Sequence, residues 1–524
     1  ESLDYSTETD PKKKGSYYLV NSRSDRFDGN LTLAYNKTID KHMLNVGVGS
    51  NIMQSETEGE SFTGVGFINP DMIFIGAANA FQENTSPQGT YDKSRLVGFF
   101  TNVNYGYGNR YFLDFSFRSD GSSKFGRNSR FAPFWSLGVA WNVHNESFWH
   151  AHEKNALKLR ASVGSTGTTN FSSTQALTTY LYDFSREYNG NFGVSLAGYG
   201  NSSLKWQTTL SYNVGVDFTF LHGLVVFNGD FYIKNTRSLL LPVTVAPSTG
   251  FIDYVENIGK LRNTGVEARL RFNLIQDAVK DLRWNVTLSA FHNQSKITQL
   301  SNQLETINQY ANDDRANQGT VVYRQFEAGR SQTALMVVRS GGIDPATGNE
   351  IYIKRNGEMT FEYNHNDKIE CGDMKPKIEG NVNTNLNWKG FNLYMLFKYQ
   401  YGGKIYNATL ASKVEGANPL KNADKRVLYD RWKEPGDHAK FRRIDDTSAP
   451  YQTTRLVFDN NLLALQSVSL SYELPRKISQ KMYMERVKLL LSSTDLFRLS
   501  SVKQERGTSY PFARTFSIGL NVTF

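Results

Sequence analysis

From Phe516 to Phe524 every second position is apolar: Phe516, Ile518, Leu520, Val522 and Phe524 alternate with Ser517, Gly519, Asn521 and Thr523. A period of two marks a β-strand with one greasy and one polar face. The same alternation recurs along the chain. Trp135, Leu137, Val139, Trp141 and Val143 alternate with Ser136, Gly138, Ala140, Asn142 and His144, and Leu210 to Phe220 reads the same way. The pattern predicts about fifteen strands. They lie near 26–39, 42–56, 93–106, 110–119, 131–144, 156–166, 204–220, 223–236, 259–274, 282–295, 377–388, 391–403, 459–474, 486–496 and 511–524.

The connections alternate too. Tight turns are expected at Asp40-Lys41, 107–109, 221–223 and Lys389-Gly390, with longer ones near 145–155, 275–281 and 475–485. Long polar loops fall between them at 57–92, 167–203, 237–258, 296–376 and 404–458. Short turns on one side and long loops on the other is the asymmetry of an outer-membrane β-barrel, periplasm against exterior. The predicted fold class is therefore all-β, a transmembrane antiparallel barrel. If the last strand descends to the periplasm, counting back makes the strand near 26–39 descend as well. Residues 1–25 are then expected to be the remnant of an extracellular loop. Residues 26–524 form the C-terminal part of a barrel whose first strands lie elsewhere, because single-chain bacterial barrels have an even strand count.

Composition agrees with this picture. Mean hydropathy is −0.48 and no run is long and apolar enough for a spanning helix, but barrel strands need only about ten alternating residues. Aromatic residues reach 13%, as strands with interfacial girdles require. A single cysteine, Cys371, excludes a disulfide framework. The net charge of +9 is spread along the chain rather than massed, so nucleic acid is not an expected partner. The polar start at Glu1 reads as a processed chain or as a fragment of a longer one.

Tyr111 to Gly126 with Phe134 to Trp141, Leu157 to Gly167, and Asn213 to Asp217 with Asp230 to Thr236 form an ordered series of stretches. Asn263 to Glu267, Gly342 to Gly348, and Leu470 to Pro475 with Arg514 to Phe524 continue it. Together these stretches resemble the SusC/RagA-like TonB-dependent transporters. The resemblance implies a barrel of about 22 strands filled by an N-terminal plug. It also implies uptake of oligosaccharides or peptides, energy drawn through TonB, and a SusD-like surface lipoprotein closing the mouth. The plug and TonB contact are expected outside this chain, and the final aromatic Phe524 would act as the barrel-assembly signal. An outer-membrane receptor or adhesin without active transport is an alternative. A soluble glycan-active enzyme is another, without a placeable acid pair to support it.

No phosphate-binding loop, H-E-x-x-H or G-x-S-x-G motif is present, and an enzyme is not expected. No cofactor is expected. His144, Glu146, His150, His152 and Glu153 form one metal-like cluster, better read as a solvated turn. Asp344 to Gly348 offers oxygen ligands, but the spacing departs from a calcium loop and suits a structural turn. Alternation points Asp114, Arg118, Asp217, Glu267, Arg269 and Arg271 into the lumen, to meet a plug, line a solute path or simply be solvated. Tyr180, Tyr182, Phe184 and Tyr188 crowd one extracellular loop and Trp432 anchors another. These aromatic residues suit sugar rings or peptide side chains, or the loops' own packing.

Overall fold

A computed structural model of the chain describes residues 15–67, 74–82, 87–150, 154–168, 176–198, 200–244, 253–257, 259–300, 308, 325–418, 420, 424–446, 448–502 and 514–524. All fifteen expected strands are found, in one antiparallel sheet whose neighbours follow chain order. We number them β1 (Ser16–Ile39), β2 (His42–Val65), β3 (Gln88–Tyr107), β4 (Tyr111–Ser122) and β5 (Phe131–Asn142). Next come β6 (Ala156–Thr168), β7 (Gln207–Phe220), β8 (Val225–Arg237), β9 (Lys260–Asp277) and β10 (Leu282–Gln299). The last five are β11 (Ile378–Trp388), β12 (Phe391–Tyr406), β13 (Val457–Glu473), β14 (Arg486–Ser500) and β15 (Thr515–Thr523). Among the described residues no helix is long and apolar enough to cross a membrane, which says nothing about crossing by strands.

Register shows how two faces are built. One row of partners runs Val139, Ala161, Val214, Phe231, Val266 across β5 to β9. The row one residue along runs Ala140, Arg160, Gly215, Asp230, Glu267. Adjacent rows point to opposite faces of the sheet, so the first is apolar and the second polar. Many large apolar side chains of the wall are exposed, from Leu288 at 37% to Val214 at 60%. Leaving such a face open is stable only where lipid replaces water. At the short-turn end aromatic rings pair along the edge: Tyr111 stacks with Trp141 at 6.4 Å and Phe391 meets Tyr472 at 4.3 Å. Their position matches the aromatic belt at a membrane interface. The turn Lys389-Gly390 has both residues at positive φ (45° and 88°), the backbone of a two-residue I′ hairpin.

Three expectations about boundaries need correction. β1 starts at Ser16, so residues 16–25 are strand rather than loop, and they pair with 56–65 of β2. β2 and β3 likewise run on to Val65 and back to Gln88, inside the loop expected at 57–92. From Asn21 to Asp25 and their partners Glu56 to Glu60 both faces are polar, so the period-two signal disappears there while the backbone ladder continues. The loops expected at 167–203 and 237–258 each contain a hairpin, Thr179–Tyr188 with Asn191–Gly198 and Leu240–Thr244 with Asp253–Asn257.

The loop expected at 296–376 carries a small sheet. Its strands lie in the order Met359–Thr360, Glu350–Ile353, Ala334–Ile343, Lys368–Asp373. It packs on the segment joining β12 to β13. Leu335, Val337, Tyr406, Ala411, Val414, Phe441 and Leu456 form one buried cluster. A parallel bridge between Val338 and Thr453 ties the two connections together. This module has a conventional hydrophobic interior, unlike the wall.

Candidate functional site

Two constructions stand out, a charged track on the polar face of the wall and a buried ion cluster in the loop module. On the wall, Arg160 of β6 donates to both oxygens of Asp217 at 2.8 and 3.1 Å, and to Asp230 at 3.2 Å. Asn228 adds a 2.8 Å bond to Asp217. Gly215 stands between Arg160 and Asp230 in the row, and a Cβ there would lie 2.8 Å from the guanidinium carbon and 2.6 Å from Asp230. The missing side chain is what lets the arginine span three strands.

Of the expected lumen residues, Asp217, Glu267 and Arg269 come together here. Glu267 is the partner of Asp230, and Arg269 the partner of Asn228. Arg269 has no hydrogen-bond or ion-pair partner among the described residues, and Arg271 holds only Asn273, at 3.0 Å. Asp114 and Arg118 lie farther round the wall. Asp114 accepts from Asn104 at 2.7 Å, while Arg118 holds Asp120 at 2.5 Å and Asn51 at 2.6 Å. Arg160, Asp230, Asp120 and Asn51 were not singled out from the sequence. Glycines at 98 and 215, inside strands that otherwise pack well, were the available signal.

In the loop module, Glu350 accepts from Thr453 Oγ1 at 2.6 Å and from Arg455 at 2.9 Å. The same guanidinium reaches both oxygens of Glu415, at 2.9 and 3.0 Å. Arg442 donates to Glu415 at 2.8 Å and to Asp446 at 2.6 Å. Arg431, also buried, caps the carbonyls of Arg442 and Glu415 at 2.9 and 3.2 Å. Three carboxylates thus face three guanidiniums, with the Glu350, Glu415, Arg442 and Arg455 side chains at 10% exposure or less. Burial alone would raise the Glu415 carboxyl, but Arg455 and Arg442 outweigh it and hold the group below the usual carboxylate range. Burial would likewise lower Arg455, and Glu350 and Glu415 reverse that, keeping it charged. Nearby, burial brings the Lys368 ammonium down to about 8 and pushes the Cys371 thiol up to about 11.

The aromatic anchors divide. Tyr180 is exposed at the start of its hairpin, while the side chains of Tyr182, Phe184 and Tyr188 lie outside the described residues. Trp432 serves the module's own packing. Its Nε1 donates to Pro345 O at 2.9 Å and its ring covers Gly348. The Asp344 carboxylate accepts from Thr347 Oγ1 at 2.7 Å and from the Thr347 and Ala346 amides at 3.1 and 3.3 Å. Those bonds make the segment a self-satisfied turn. In the histidine-rich turn after β5, His144 and His150 each bond a backbone carbonyl through Nδ1, at 2.9 and 2.7 Å. Glu146 accepts from Tyr111 and Trp141 at 2.6 and 3.0 Å. No group of three potential metal ligands occurs among the described residues, and His152 and Glu153 lie outside them. Phe524 ends the chain 86% exposed.

Residues 2–342 match the family model described as TonB dependent receptor-like, beta-barrel. The chain belongs to that family. As a member it is an outer-membrane β-barrel protein of Gram-negative type, and its wall is the lipid-facing sheet described above. TonB-dependent receptor P3 of Formosa agariphila is 26% identical over 536 residues, covering 94% of this chain and 52% of the relative. TonB-dependent receptor SusC of Bacteroides thetaiotaomicron is 27% identical over 333 residues, covering 61% of this chain and 32% of the relative. The chain therefore spans about half the length of the curated relatives it matches. In fold, it superposes on the RagAB peptide transporter with a TM-score of 0.85 at 22% identity, covering 97% of this chain and 56% of that one.

Proposed function

We propose that this chain forms the C-terminal wall and extracellular module of an outer-membrane nutrient importer energised through TonB. The cargo would be oligosaccharides or peptides, delivered beneath a SusD-like lipoprotein. The observation that carries the reading is the charged track on the wall's polar face. Arg269 and Arg271 stand there with no carboxylate among the described residues, beside the closed Arg160–Asp217–Asp230 set. A lumen left as an open pore would leak, and a plug segment placing acidic groups opposite these arginines would close it. The long unpaired edges of β1 and β15 are where the remaining strands of a barrel of about 22 would join. No bond-breaking step is assigned to the chain.

The test is energy-dependent uptake. Cells with and without the full-length protein are offered defined oligosaccharides and defined peptides, with and without a functional TonB complex. Accumulation that needs both the protein and TonB supports the reading, and affinity purification should then bring down a surface lipoprotein. Surface binding with no TonB-dependent accumulation would favour the alternative, a receptor or adhesin barrel.

A further inference from the structure

The short-turn end of the wall carries a strongly charged recess that the uptake reading does not use. A cavity of ≈ 860 Å³ is lined there by Arg283, Lys389, Arg476, Arg486 and Lys488. Asp281 and Glu473 are the carboxylates in its lining, which leaves a surplus of three positive charges. Arg486 pairs with Glu473. The Arg283, Arg476 and Lys488 side chains have no hydrogen-bond or ion-pair partner among the described residues, and Lys389 has only the Trp388 ring, 5.9 Å away. Register fixes which way the recess faces. Arg283, Asn387, Asn392 and Ser471 are partners in one row across β10 to β13, and Lys488 of β14 meets Glu473 two positions nearer the turns. The adjacent row, Trp388, Phe391, Tyr472 and Leu489, is the apolar one. No register shift interrupts either row, so Arg283 and Lys488 stand on the wet inner face and the aromatic rings on the lipid side.

Position and spacing select the occupant. A lipid headgroup is anchored by chains on the apolar face, turned away from this row. A single phosphate or sulfate needs donors that converge to about 3 Å from its oxygens. Arg283 and Lys488 instead sit four strands apart, roughly 19 Å at about 4.8 Å per strand. Single-stranded nucleic acid needs stacking rings beside the cations. Here Asn387, Asn392 and Ser471 lie between them, and the rings are on the other face. An extended polypeptide of about six residues covers the distance at about 3.3 Å per residue, its carboxylates reaching cations on successive strands. The curated relative P3 carries about as much chain again outside the 52% of its length matched here, a source for such a segment in the same polypeptide.

We propose that this recess holds an acidic, extended segment of the same full-length polypeptide, lying inside the barrel across β10 to β14. The inference deepens the importer reading by placing one contact of the material that fills the lumen, and it rests on that reading only in putting the segment inside a closed barrel.

The experiment is zero-length crosslinking of the full-length protein, purified from membranes in mild detergent, with a water-soluble carbodiimide. The reagent joins a lysine amine to a carboxylate only where the two already touch, and mass spectrometry maps the joined peptides. Lys389 and Lys488 should both crosslink to Asp or Glu residues of one short stretch outside the 524 residues of this chain. The double variant Arg283→Glu, Arg476→Glu keeps both lysines but turns two attractive charges repulsive, and should lower those crosslinks by about tenfold or more. Hydrogen exchange of β10 to β14 should stay as slow as in the unmodified protein, which shows that the wall is still folded. Crosslinks confined to Asp281, Glu473 or other residues of this chain would overturn the proposal, as would crosslinks to a separate protein. Yields unchanged in the double variant would do the same. So would saturable loss of the crosslinks with sodium sulfate at constant ionic strength, the mark of a single-anion site. Uptake is not part of this readout, so the contact can be absent while the importer stands, and a barrel that imports nothing can still show it.

Discussion

The wall and the loop module solve opposite problems with one chain. In the wall, apolar side chains face outward to lipid, polar ones face inward, and cohesion comes from the backbone ladder between neighbouring strands. In the module, apolar side chains face inward and the two connections are locked by charges taken out of water. The wall tolerates charges such as Arg269 because its inner face is wet. The module tolerates Glu415 and Arg455 only because each is nearly saturated with partners. The same residue types thus carry different energetic weight in the two regions, and solvent sets the difference.

That comparison can be broken most forcefully at Arg455. Arg455→Ala leaves Glu350 and Glu415 buried without their shared cation, a loss of about 3–5 kcal/mol confined to the module. Hydrogen exchange should rise sharply in 334–373 and 425–456 while β7 to β10 stay protected. Equal exchange in both regions would deny the separation. Second in size is Val214→Arg at the middle of β7, expected to cost about 2–4 kcal/mol in urea unfolding from vesicles. Asn213→Arg, one position along on the wet face, should cost far less. Third, Gly348 has φ 71°, and a Cβ there would meet the Trp432 ring at 2.6 Å. Gly348→Ala should destabilise the module by more than about 1 kcal/mol, read as faster exchange around 344–348 with the wall unmoved.

The smallest effect is a pH trend. Lys368 has its folded value lowered to about 8, below the ordinary lysine range. Between the two values the unfolded module binds more protons than the folded one, so stability rises as pH climbs from about 8 to about 10.4. Protection of 334–373, corrected for intrinsic exchange, should increase over that window and flatten in Lys368→Met. Glu415, held low, should contribute nothing to this window and weaken the module only in acid.

The wall was legible because two solvents write a period of two into the sequence. Where both faces are polar, as in Asn21 to Asp25 and Glu56 to Glu60, the pairing continues without that pattern. The module was less legible. Ala334-Leu-Met-Val-Val338 is a continuous apolar run of the kind a buried strand shows, and it stood inside a stretch taken as loop. The ion cluster left little local trace: beyond Arg442 and Asp446, four residues apart, its partners are distant, Glu350 and Arg455 by 105 residues. Lumen-side charges could be assigned a face from alternation, but their partners followed from register, which periodicity alone does not fix.

The most direct test of the two-solvent account is a cysteine scan of β7 from Leu210 to Phe220, in full-length protein carrying Cys371→Ser and embedded in membranes. The account predicts that a membrane-impermeant thiol reagent modifies the odd positions, 211 to 219, and spares the even ones, where lipid covers the thiol. Reactivity that ignores this alternation, or that favours the even positions, would contradict it.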